Sequence, residues 1–101
     1  MDIRIIKSPT RGTLDILERR KGSGASKKLP AVGAVGLIQG KVVEMICAAD
    51  VAEKTAEVLV EDIRGNCPQS LTTLAVFGEL SAVEAALEAI RQRAAEGGQS
   101  W

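Results

Sequence analysis

The stretch Leu71-Thr72-Thr73-Leu74-Ala75-Val76-Phe77-Gly78-Glu79-Leu80-Ser81-Ala82-Val83-Glu84-Ala85-Ala86 changes its period midway, and that change decides the fold class. Over 71–80, Leu71, Thr73, Ala75 and Phe77 alternate with Thr72, Leu74 and Val76, the spacing of a strand whose successive side chains point to opposite faces. After Leu80 the period lengthens: Val83, Ala86, Leu87, Ile90 and Ala94 recur at helical spacing until Gly97-Gly98. Ser81-Ala82-Val83-Glu84 has the form of a capping box, so a strand is expected to run almost directly into a capped amphipathic helix.

Upstream, the apolar stretch 31–38 reads as a strand and 41–56 as a second amphipathic helix, with Val42, Met45, Ile46 and Ala49 on its inner face. Cys47 lies inside that helix and reads as a small core hydrophobe. A further strand is expected over 57–63, giving the order β-α-β-β-α, most of a ferredoxin-like sandwich. At the front, Arg4-Ile5-Ile6-Lys7 reads as another strand and 13–18 as a short helix capped by Thr13, an extra β-α unit. The expected class is α/β of the α+β kind, an antiparallel-rich sheet with helices packed on it. One domain fills 1–101: the β-α unit over 1–20, a linker over 21–30, a core over 31–95 and a flexible tail over 96–101 that ends in Trp101.

Composition excludes several functions. Lysine plus arginine and aspartate plus glutamate both number 13, so no net basic field draws in nucleic acid or an anionic membrane. Phe77 and Trp101 are the only aromatics, too few for a base-stacking surface. Met1-Asp2-Ile3-Arg4 lacks the charged and apolar regions of a signal peptide, and 31–38 is too short to span a bilayer, so the expected location is cytoplasmic. Histidine is absent, which removes the commonest general base, and no nucleophile is paired with a base; an enzyme is not expected.

The Gly/Ser-rich run Lys21-Gly22-Ser23-Gly24-Ala25-Ser26-Lys27-Lys28 follows charged residues rather than a buried strand and lacks P-loop spacing, so it reads as a solvated linker. Gly33, Gly36 and Gly40 miss the dinucleotide spacing and read instead as places where strand and helix pack closely. Asp50, Glu61 and Asp62 read as solvated charge, since adjacent acids on a strand face opposite ways. Gly65-Asn66-Cys67-Pro68-Gln69-Ser70 joins two strands, and by spacing alone it is a tight turn carrying a lone thiol.

The segment 35–90 resembles the BMC domain of bacterial microcompartment shells. The resemblance is carried by Ala34-Val35-Gly36-Leu37-Ile38, by Ala48-Ala49-Asp50 in the following helix, and by Val76-Phe77-Gly78-Glu79-Leu80-Ser81-Ala82-Val83 at the last strand-to-helix turn. It implies a shell protein that assembles as a homohexamer and tiles with other BMC shell proteins into a sheet. Ordinary members place their last strand and short helix after the core; here that unit stands in front, with Arg4-Ile5-Ile6 and Pro9 to Leu14 resembling the opening of circularly permuted members.

In this family the loop between the second and third core strands lines the hexamer's central pore, which implies a pore loop of Gly65, Asn66, Cys67, Pro68, Gln69 and Ser70. A Gly-x-Cys-Pro-Gln loop there is similar to that of the iron-sulfur-binding permuted shell proteins of glycyl-radical propanediol microcompartments, with Ser70 standing where glycine is expected. The resemblance therefore implies that Cys67 is a metal ligand. Rotational symmetry would bring six copies of the thiol to one axis, and four thiolates suffice for a 4Fe-4S cluster. Six equivalent positions cannot serve one cubane equally, so some Cys67 side chains would stay unligated. Gly65 would permit unusual backbone angles and Pro68 would stiffen the loop. Lys41, one residue out of step, is near the lysine through which family hexamers meet at their edges. Two other readings stay open: a metal-free tile with a small-molecule pore, in which Cys67 is a redox-sensitive rim residue, and a ferredoxin-like regulator that binds a metabolite between subunits.

Overall fold

The computed structural model describes residues 1–22, 32–65 and 71–101. Its elements are β1 (Asp2–Lys7), α1 (Arg11–Arg20), β2 (Ala34–Lys41), α2 (Val42–Thr55), β3 (Leu59–Ile63), β4 (Leu71–Gly78) and α3 (Leu80–Glu96). The strands form one sheet in the order β1-β2-β4-β3, and all three neighbouring pairs are antiparallel.

Alternation along β4 builds two cores from one strand. Leu74 and Val76 join Ala34, Ile38, Met45, Ala48, Val83, Leu87 and Ile90 beneath α2 and α3. Ala75 and Phe77 face the other way and join Val35, Ile63, Leu14 and Leu17 beneath α1. Because both faces are covered, β2 is buried almost along its length, which is why its sequence reads as a continuous apolar run rather than a clean alternation.

Close approach explains two glycines. A Cβ on Gly36 would lie 2.9 Å from Leu87 Cδ2, and one on Gly40 would lie 3.0 Å from both Glu44 Oε1 and Met45 Cε. Strand and helices meet there without a side chain between them, as the spacing argument expected.

The front unit completes the sheet. β1 lies beside β2, with Ile3 opposite Ile38 and Ile5 opposite Gly36. Met1, Asp2, Ile3 and Arg4 share a surface cavity with Arg91 and Ala94 near the end of α3. A short link from the end of α3 to the start of β1 would restore the order β-α-β-β-α-β of a ferredoxin-like fold, so the chain is a circular permutation of it. No helix among the described residues is long and apolar enough to cross a membrane.

Several local expectations are corrected. Thr10, not Thr13, caps α1: its hydroxyl oxygen accepts from the Thr13 backbone N–H at 3.2 Å. Just before it, Ser8 sits at φ 48, a left-handed conformation uncommon for serine, and its N–H donates to the Gly33 carbonyl at 2.8 Å. That pinned turn lets the helix begin at Arg11. The capping box at Ser81 does not form, because β4 ends at Gly78 and Glu79 takes the N-cap position, leaving Ser81 inside the first turn. A partial box occurs instead at α2, where Glu44 Oε1 accepts from the Lys41 backbone N–H at 3.1 Å.

The inner face of α2 is Met45, Ala48, Val51 and Ala52, while Val42 and Ile46, expected inside, are 43% and 66% exposed. Small Ala48 and Ala52 let α2 lie close to its neighbours, and that turns the larger aliphatics outward. α3 stops where the glycines foretold, with Gly97 in the left-handed region at φ 67 and its N–H donating to the Ala94 carbonyl at 3.2 Å. Beyond it, Trp101 is half-buried and packs against the core beneath α2 and α3 rather than ending a free tail. The Gly/Ser linker lies outside the described residues apart from its first two, Lys21 and Gly22.

Candidate functional site

β3 and β4 are paired from Leu59 opposite Phe77 to Ile63 opposite Thr73, so β3 ends and β4 begins at the same end of the sheet. Asn66, Cys67, Pro68, Gln69 and Ser70 lie outside the described residues; the base of their loop does not. Across that base the Thr72 hydroxyl donates to Asp62 Oδ1 at 3.0 Å. On the other side the chain leaving α1 runs along β3: Lys21 bridges to Ile63, the Gly22 N–H donates to the Asp62 carbonyl at 2.9 Å, and the Arg64 N–H donates to the Arg20 carbonyl at 2.7 Å. The front unit thus braces the loop base, a contact between distant parts of the chain that no local pattern could reveal.

Arg20 and Arg64 therefore line one open cavity of about 470 Å³ together with Asp62, Gly65, Leu71 and Thr72. Gly65 does not take a positive φ, and among the described residues no atom lies within 4 Å of where a Cβ would sit. Among the described residues no group of three or more potential metal ligands occurs. Cys67 lies outside that set.

Cys47 is only half-buried, a correction to its expected place in the core. It lines a groove of about 360 Å³ with Val43, Glu44, Arg93, Ala94 and Trp101. Lys41 is exposed at the junction of β2 and α2, where a side chain is free to meet a neighbouring molecule. Asp50 is answered by Lys54 one turn on, at 2.7 Å, and both are solvent-facing, as expected of surface charge.

One feature of the surface was missed in the sequence. Val43 and Ile46 are 67% and 66% exposed, and with Val42 they form an apolar strip along α2. Beside the strip, Met45, Ala49, Val60 and Leu74 help line a mainly apolar cavity of about 480 Å³. The available signal was that α2 carries more aliphatic residues than one buried face can use.

Residues 34–100 match the family model described as the BMC domain. Among solved structures, the ligand-free GrpU microcompartment shell protein from a Clostridiales bacterium is 49% identical, with 96% of this chain and 95% of that chain covered and a TM-score of 0.74. The ligand-free GrpU microcompartment shell protein from Pectobacterium wasabiae is 38% identical over 89% of this chain and 99% of that one, with a TM-score of 0.73. The fused permuted hexameric shell protein of the RMM microcompartment shares the fold at 23% identity and a TM-score of 0.68, over 93% of this chain and 45% of that one. No curated protein is similar enough to match.

Proposed function

The chain belongs to the BMC-domain family and is a bacterial microcompartment shell protein, and from that premise we propose that it forms a homohexameric tile whose central pore binds an iron-sulfur cluster through Cys67. Two observations support the assembly. The apolar strip of Val42, Val43 and Ile46 is left bare on a single chain, and burial against a second copy removes it from water. Lys41 stands exposed at the head of the same helix, suited to contact between neighbouring hexamers in a sheet with other shell proteins.

The metal reading is carried by Cys67, a soft sulfur ligand in a loop whose two ends are held by the Asp62–Thr72 hydrogen bond and by the strapping of α1 to β3. Fixed loop ends around a rotation axis repeat the same thiol at the same radius, and four thiolates can hold a 4Fe-4S cluster. A cluster so placed would carry electrons across the shell or serve cluster delivery, with no reaction catalysed by the chain itself.

Anaerobic purification, an absorbance spectrum near about 400 nm and iron and sulfide counts per hexamer test this. A brown hexamer with about four irons supports it. A colourless, iron-free hexamer that resists reconstitution leaves a metal-free tile, with Cys67 as a rim residue. A chain that stays monomeric and binds a metabolite returns the reading to a regulator of the same fold.

A further inference from the structure

We infer that the cavity between Arg20 and Arg64 is a binding site for a small oxyanion, built where α1 meets β3. Arg20 and Arg64 are distant in the chain, and the backbone bond from the Arg64 N–H to the Arg20 carbonyl, 2.7 Å long, brings both residues to the lining of one cavity. Neither makes an ion pair among the described residues, whereas neighbouring Lys21 is matched by Glu18 at 2.7 Å. The residues outside that set, 23–31 and 66–70, contain no aspartate or glutamate that could neutralise them. Asp62, the one acid lining the cavity, accepts from the Thr72 hydroxyl at 3.0 Å and keeps its negative charge, so the two arginines outnumber it and leave the cavity net positive.

A pair of arginines presents forked N–H donors suited to the oxygens of phosphate-like anions, and the pairing is charge-assisted. The open cavity of about 470 Å³ has room for such an ion with its remaining hydration. The site itself is a property of one chain. That six of them encircle the pore, gathering anions at its mouth, rests on the hexameric reading.

Titration of the full chain with inorganic phosphate, followed by calorimetry in phosphate-free buffer, tests the site, and light scattering on the same sample reports the assembly state. Phosphate is expected to bind once per chain, and Arg20→Gln or Arg64→Gln should weaken it about tenfold or more. Arg19→Gln serves as the control, because Arg19 does not line the cavity, and it should leave binding nearly unchanged. The inference is overturned if millimolar phosphate does not bind, if neither cavity variant weakens it, or if Arg19→Gln weakens it as much as they do. Binding by a monomer would keep the site and overturn only its arrangement around a pore.

Discussion

Leu87 of α3 fills the space that a side chain at Gly36 of β2 would need: its Cδ2 lies 2.9 Å and its Cδ1 3.0 Å from where a Cβ would be built. Both residues are buried, so neither can move aside into solvent. Gly36→Ala should therefore cost about 1–3 kcal/mol in chemical denaturation. In the Leu87→Ala background the same change should cost much less, because the clash is gone; equal costs in both backgrounds would refute the contact.

Exposure of the strip on α2 lets the proposed assembly be tested apart from folding. Val43 and Ile46 are not part of the single-chain core, so Val43→Asp with Ile46→Asp should leave the far-ultraviolet circular dichroism and the unfolding midpoint nearly unchanged. The same pair should drive the hexamer toward monomers in light scattering, since two carboxylates would have to be desolvated at the contact. Persistence of the full-size oligomer would place the subunit contact elsewhere.

The two cysteines should behave differently. On the proposed function, Cys67→Ser is expected to abolish cluster absorbance while the proposed hexamer survives, whereas Cys47→Ser should keep the absorbance, because Cys47 lines a groove between α2 and the C-terminal residues. Retained colour in Cys67→Ser would dismiss the ligand assignment.

Trp101 is the only tryptophan and packs half-buried against the core beneath α2 and α3. Trp101→Ala should lower stability by about 1–2 kcal/mol through lost apolar burial. In the unaltered chain its fluorescence should shift to the red on unfolding. An emission maximum already that of free tryptophan in the native protein would contradict the packing.

Lys41 is exposed, and its backbone rather than its side chain holds the start of α2 through Glu44. Lys41→Ala should thus leave hexamers intact and reduce their association into sheets, read by electron microscopy. Undiminished sheets would remove Lys41 from the hexamer edge.

The sequence by itself determined what depends on neighbours along the chain. Alternation in 71–78 and the helical repeat from Val83 to Ile90 are local periods, so the elements, their order and the glycine stop at Gly97 were legible before any packing was known. The loop motif around Cys67 was read through its resemblance to a known family rather than from a local period, and its ligand role belongs to the proposed function. Tertiary structure decided what depends on partners far along the chain. α3 begins at Leu80 rather than at a Ser81 cap because β4 pairs with β2 only as far as Gly78 opposite Ala34. Which stripe of α2 turns inward follows from where Ala48 and Ala52 let it approach the core, and apolar residues on two sides leave its own period ambiguous. The meeting of Arg20 with Arg64 exists only because the chain after α1 pairs with the end of β3. Such contacts depend on loop closure and on the packing of the whole sheet, and a one-dimensional pattern of residue types does not encode them.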